Sequence, residues 1–264
     1  MNCIFCVAGQ DARQQAAAKA LRRAGYEVVG GKEAARADCI LLPVPADDAD
    51  PALAALIRSA RPGTTLMAGQ IGPALRRAAG EAGLVTVNCY QSPELACLNA
   101  VPTAEGCLEL LLRLRTRTIW ESRFLVLGYG RIGRAVARRL RLLGGRVTVA
   151  ARAADQRASA RSADCRAVPL TALERVLPSF DAVINTIPAP VLGRRELLCL
   201  PKGALILDLA SRPGGTDFEA ARELGLHAEL ALGLPARCAP ETAGELTAHA
   251  VLELLREREG RKTP

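Results

Sequence analysis

The sequence predicts an α/β chain of two doubly wound parallel-sheet lobes. Three observations predict it. First, short apolar runs of strand length at residues 3–7, 27–29, 39–43, 64–67 and 85–88 alternate with amphipathic helical stretches at 13–23, 51–61 and 73–82. Such alternation builds a parallel sheet covered by helices on both faces. Second, after a longer helical stretch at 103–116, a new series of strands begins at 124–127 and continues at 146–150, 167–168, 182–185, 204–207 and 227–229. Helical segments at 170–177 and 218–224 lie between its later strands. Third, a glycine-rich turn sits between the first strand of that series and the helical pattern after it.

A last helix, from 242 to about 259, follows the second series, and the polar tail after Arg256 is expected to fray. The boundaries expected are a first lobe of residues 1–117, joined by the terminal segment 240–264, and a second lobe of residues 118–239. A cleft between the lobes is expected to take the substrate.

The glycine-rich turn is Gly128-Tyr129-Gly130-Arg131-Ile132-Gly133. The first glycine permits the tight strand-to-helix turn, the second lets backbone approach a pyrophosphate, and the third lets the helix pack closely on the strand. Free N–H groups at the helix start then face the phosphates. With strand 146–150 at the distance of a βαβ unit, the second lobe reads as a Rossmann dinucleotide-binding domain.

Cofactor choice turns on the end of that second strand. A carboxylate there binds the ribose 2′-hydroxyl of NAD, whereas an arginine suits the 2′-phosphate of NADP. The chain has Val149-Ala150-Ala151-Arg152, and its next carboxylate is Asp155. NADP is expected, NAD remains possible, and Arg152 is alternatively a solvated loop arginine.

Composition narrows the class. The chain has 264 residues, half of them hydrophobic, enough to bury a sizeable core. No apolar run is expected to span a membrane, and the N-terminus enters a strand without a charged leader. A cytoplasmic protein is expected. The nine cysteines are scattered instead of clustered, as reduced thiols are. Cys3 and Cys6, three apart on a strand, point to opposite faces and read as core thiols, not a metal pair. The net charge of +8 suits an anionic ligand. Arg134, Arg138, Arg139 and Arg141 share one amphipathic helix, and aromatic residues are few, so nucleic acid is not expected as a partner.

Candidate chemistry gathers at the carboxyl ends of the second series of strands, where ligands of open parallel sheets bind. Asn185-Thr186-Ile187-Pro188 follows one strand, Asp208 through Thr216 the next, and Gly233-Leu234-Pro235 the last. Asn185, Thr186, Ile187, Pro188 and Ala210 are expected to line the cofactor, together with the glycine turn. Arg212 is the first candidate for holding a substrate carboxylate through two charge-assisted hydrogen bonds, or else it ties its own loop together. Ser211, Gly214, Pro235, Asn99 and Thr103 are further substrate candidates. Glu105 is a candidate proton acceptor or a carboxylate complementing its helix dipole. The two histidines, His227 and His249, have no carboxylate at a telling spacing in the sequence, so a histidine proton relay is not expected.

The segments Asn99 to Gly106 (NAVPTAEG), Asp208 to Phe218 (DLASRPGGTDF), Ile184 to Pro188, Gly9 to Gln14, and Ala239 to Gly244 resemble the A subunits of dipicolinate synthase over nearly the whole chain. Departures lie between Glu27 and Ala37, which looks shortened, and at Gln10, Ala236 and Glu241. The resemblance implies an enzyme of the sporulating mother cell that oxidises a dihydrodipicolinate-type lysine-pathway intermediate to pyridine-2,6-dicarboxylate with NADP or NAD. It implies that the partner is a flavoprotein-like B subunit; self-association is also expected. Two other classes fit the residues: a dehydrogenase of alanine-dehydrogenase-like architecture, and a non-enzymatic NADP sensor.

Overall fold

Strand β1 (Ile4–Val7) opens a five-stranded sheet that continues with β2 (Glu27–Val29), β3 (Cys39–Leu41), β4 (Thr65–Ala68) and β5 (Val85–Asn88). The computed structural model describes residues 3–69 and 71–260. All pairings are parallel, in the order β2-β1-β3-β4-β5. Helices α1 (Ala12–Arg23), α2 (Pro51–Ser59), α3 (Pro73–Glu81) and α4 (Pro93–Leu98) connect or follow the strands. Three of these start where local chemistry favours it, with proline in the first turn of α2, α3 and α4. Asp11, Asp50 and Ser92 cap α1, α2 and α4 through their side chains. Cores lie on both faces, one around Ile40, Leu42, Leu66 and Leu75, the other around Phe5, Leu21, Leu41 and Met67.

The second unit opens with α5 (Ala100–Leu114), then β6 (Arg123–Leu127), α6 (Arg131–Leu142), β7 (Arg146–Ala150), α7 (Ala154–Ser162), β8 (Arg166–Val168) and α8 (Leu173–Val176). It continues with β9 (Ala182–Asn185), α9 (Arg194–Leu197), β10 (Leu205–Asp208), α10 (Phe218–Glu223), β11 (His227–Leu230) and α11 (Leu234–Cys238). The six strands are parallel in the order β11-β10-β9-β6-β7-β8, which is the doubly wound order with its switch point between β6 and β9. The chain then completes the first unit with α12 (Pro240–Gly260). That helix lies against α1 so closely that a Cβ at Gly244 would stand 2.2 Å from the Arg13 carbonyl oxygen.

The two doubly wound sheets are those expected, and several boundaries differ. The units divide at Asn99/Ala100 and Cys238/Ala239, not at 117/118 and 239/240. The physical reason is the apolar face of α5, where Ala104, Cys107, Leu110 and Leu111 are fully buried in one cluster with Phe124, Val136 and Leu140. The stretch Pro93–Leu114 is, contrary to expectation, long and apolar enough by composition to cross a membrane. It is broken at Asn99 into two helices, and that buried face explains its apolarity. Segment 170–177 forms a 3-10 turn and the single helical turn α8 in place of one helix. Gly233-Leu234-Pro235 is not a simple strand-end turn, because Leu234 begins α11. The tail expected to fray is helical to Gly260, and 261–264 lie outside the described residues. Cys6 is buried but Cys3 only partly so.

Candidate functional site

The turn between β6 and α6 is built from backbone alone. Gly128 has φ +89, a conformation open to glycine, and a Cβ there would stand 2.6 Å from Thr186 Oγ1. A Cβ on Gly133 would stand 2.3 Å from the Gly128 carbonyl oxygen, so α6 can approach β6 only with glycine at that position. Gly130 differs from both: a Cβ would meet nothing within 4 Å. It is the N-cap of α6 without a side-chain cap, so the first N–H groups of α6 stay available to an anion beside open backbone. This arrangement fits a dinucleotide pyrophosphate. Arg131 is exposed, and Ile132 packs partly on the core below.

Across the switch point, the Thr186 side chain donates to the Leu127 carbonyl at 2.7 Å, and its N–H donates to the same oxygen at 2.9 Å. Thr186 and Ile187 therefore close one wall against Gly128, with Pro188 exposed beyond them. Asn185 is a correction. It is fully buried, its amide NH2 donating to Asp208 Oδ1 at 3.0 Å and to the Ile187 carbonyl at 3.1 Å, while its oxygen accepts from Ile187 N. No polar atom of that amide remains for a cofactor.

Asp208, which sequence reading left without a role, organises the neighbouring loop. It is fully buried at the end of β10, and its carboxylate accepts from Asn185, from the N–H groups of Ala210 and Gly215, and from the Thr216 hydroxyl at 2.8 Å. Four donors hold the charge in place of a cation. Ala210 is buried and pinned by its own N–H, so it supports the loop. Gly214, at φ +83, donates to the Ser211 carbonyl and closes the turn. Ser211 and Arg212 are exposed at its tip, and Arg212 makes no ion pair among the described residues. Arg212 therefore does not tie its own loop together; Asp208 does.

Other candidates take no part in the hydrogen bonds of Asp208. Arg152 is exposed just past β7, and Arg157, unremarked in the sequence, donates to the carbonyls of Ala151 and Arg152 from α7. Glu105 pairs with Arg139 at 3.2 Å, bridging α5 to α6 two turns beyond Arg131. That bridge gives the carboxylate a structural partner and lends no support to a proton-acceptor role. Thr103 is buried in α5, Pro235 is half-buried in α11, and Asn99 ends α4 in the first unit. His249 does have a carboxylate nearby, Glu94 at 3.3 Å, invisible in sequence spacing because 155 residues separate them. The pair is exposed, in the first unit.

Residues 107–211 match the NAD binding domain of the D-isomer specific 2-hydroxyacid dehydrogenases. The A subunit of dipicolinate synthase from Bacillus subtilis (strain 168) is 39% identical over 185 residues, a match covering 69% of this chain and 62% of that protein. The matched region thus spans less than two thirds of the relative. The crystal structure of the dipicolinate synthase A subunit from Bacillus halodurans superposes with a TM-score of 0.86 at 29% identity, covering 96% of this chain and 97% of that one. The corresponding crystal structure from Bacillus subtilis gives a TM-score of 0.85 at 29% identity over 99% and 98%.

Proposed function

The chain belongs to the family of dipicolinate synthase A subunits, and from that premise we propose that it is a nicotinamide-dependent dehydrogenase forming pyridine-2,6-dicarboxylate from a dihydrodipicolinate-type ring. The observation that carries this reading is Arg212, an uncommitted guanidinium on a loop pinned by buried Asp208, one strand from the β6/β9 switch point. A bidentate grip on one carboxylate of a planar dianion is chemistry such a side chain performs, and Ser211 beside it adds a neutral hydrogen bond. Gly128, Gly130, Gly133 and the N–H groups at the start of α6 would hold the pyrophosphate. Thr186, Ile187 and Pro188 would wall the site. When bound, the nicotinamide supplies the hydride acceptor, and aromatisation of the ring supplies driving force. What the protein contributes is alignment of the reacting C–H.

The cofactor in this reading is NADP, supported by Arg152 and Arg157 and by the missing carboxylate at the end of β7. The partner is a flavoprotein-like second polypeptide, supported by the relatives' being named as one lettered subunit of their enzyme. The setting is the cytoplasm of a sporulating cell.

One assay tests the reading. Freshly generated dihydrodipicolinate-type substrate is supplied with NADP or NAD, with and without the second polypeptide, and the ultraviolet absorbance of the pyridine product is followed. Production is expected, faster with NADP. Arg212→Leu should lose turnover while keeping its melting temperature and NADPH affinity, and Arg152→Ala should narrow the preference for NADP. An Arg212→Leu protein that turns over at the parent rate would falsify the role of Arg212, and no product under any of these conditions would overturn the proposal itself.

A further inference from the structure

A cavity of about 330 Å³ in the second unit is lined by Thr148, Arg166, Arg175, Val176, Ser179 and Phe180. It is separate from the dinucleotide turn. Arg166 is the first residue of β8 and Phe180 comes just before β9, whereas the glycine turn follows the last residue of β6. Because the strands are parallel, Arg166 and Phe180 lie toward the amino ends of the strands and the glycine turn lies at their carboxyl ends.

Its lining has the character of an anion site. Thr148 and Arg166 are register partners on adjacent strands, so their side chains leave the sheet on one face. Thr148 is 7% exposed, yet its hydroxyl makes no hydrogen bond among the described residues. The hydroxyl oxygen keeps some solvent access, and the open space that Thr148 lines is this cavity. Arg166 and Arg175 are exposed and form no ion pair among the described residues. Nearby carboxylates are engaged elsewhere: Glu174 by Arg195 at 2.8 Å, Asp181 by Arg123. No carboxylate lines the cavity, and Phe180 and Val176 give it an apolar wall.

We propose that this cavity is a second ligand site, taking a small organic dianion whose carboxylate or phosphate oxygens meet Arg166, Arg175 and the Thr148 hydroxyl. Its apolar body lies against Phe180 and Val176. The volume is at the lower end for small-molecule sites and excludes a dinucleotide. Guanidinium groups without competing carboxylates bind planar oxyanions by paired hydrogen bonds.

The test is calorimetric titration of the 264-residue chain carrying Arg212→Leu, which removes the carboxylate contact proposed for the dehydrogenase site, so that any remaining binding is read independently of that proposal. The probes are benzene-1,3-dicarboxylate and phenyl phosphate. At least one is expected to bind, and the tighter one identifies the oxyanion. Adding Arg175→Gln should weaken binding by about tenfold or more, and Thr148→Val should weaken it to a smaller degree, with melting temperatures unchanged. Failure of both probes to bind, or equal binding with and without Arg175→Gln, would overturn the proposal.

Discussion

Asp208 shows how a charge can be buried without a cation. Its four donors come from β9, from the chain just past β10, and from the far side of the Arg212 loop, so one carboxylate fixes the loop at both ends. Asp208→Asn turns an NH2 toward groups that are themselves donors, and a buried donor left without an acceptor costs about 1–3 kcal/mol. Thr216→Val removes one donor and leaves the carboxylate intact. Urea unfolding should therefore show a larger loss for Asp208→Asn than for Thr216→Val, and equal losses would mean the carboxylate does not organise the loop. The buried thiols give a second residue-scale expectation. Burial pushes Cys89 and Cys107 up to about 12, and burial with the nearby negative charge of Glu33 pushes Cys6 to about 11, from an ordinary 9.0. A thiol whose pKa is raised on folding favours the native state fully below its unfolded value and loses that contribution as pH climbs toward the folded one. Under reducing conditions, the urea midpoint should hold to about pH 9 and fall above it. In native alkylation at pH 8, exposed Cys97 should react first. Cys238, also exposed, should lag because its thiol donates to the Pro102 carbonyl and its pKa is raised by partial burial.

The glycine turn separates two roles that one motif combines. Gly133 has backbone 2.3 Å from where a Cβ would stand, whereas Gly130 has open space. Gly133→Ala should lower the melting temperature and abolish dinucleotide binding together. Gly130→Ala should leave the melting temperature unchanged and weaken NADPH binding, because the added methyl fills only the space a pyrophosphate would approach. Measuring both properties on both variants decides it, and a Gly130→Ala protein with parent affinity would show that the cofactor does not use this turn. This motif was legible in the sequence because its constraint is local backbone geometry. The strands were legible for a related reason: a parallel strand buried on both faces, such as β9 or β10, reads as a run of apolar residues, Ala182–Ile184 or Leu205–Leu207, before its polar last residue. Helices α7 and α9 were missed because they bury one residue each, Ala160 and Leu197, and so carry almost no apolar period. The inward turn of Asn185 was not legible either, since the partner that claims its amide is 23 residues away on the next strand.

At the scale of the whole chain, the second unit is one continuous segment while the first is closed by a returning helix, so only the second can be excised without cutting through its own fold. Sequence reading placed its start near 118, but α5 supplies Leu110 and Leu111 to its core, both fully buried. Gly106 of α5 packs so closely on α11 that a Cβ there would stand 2.9 Å from Cys238 Sγ and 3.0 Å from the Leu234 Cβ, and Glu105 reaches Arg139 of α6. Burying two leucines contributes about 3–6 kcal/mol at roughly 1.5–3 kcal/mol each, against a net stability for a domain of about 5–15 kcal/mol. A fragment of residues 100–238 should therefore unfold cooperatively and bind NADPH. A fragment of residues 118–238 retains the entire sheet and the glycine turn but exposes the apolar face of α6 that carries Val136 and Leu140. It should be largely unfolded or aggregated at 25 °C. Circular dichroism melts of the two fragments, with NADPH titrated into each, test this directly. Equal melting temperatures would place α5 outside the folding unit and restore the boundary near 118.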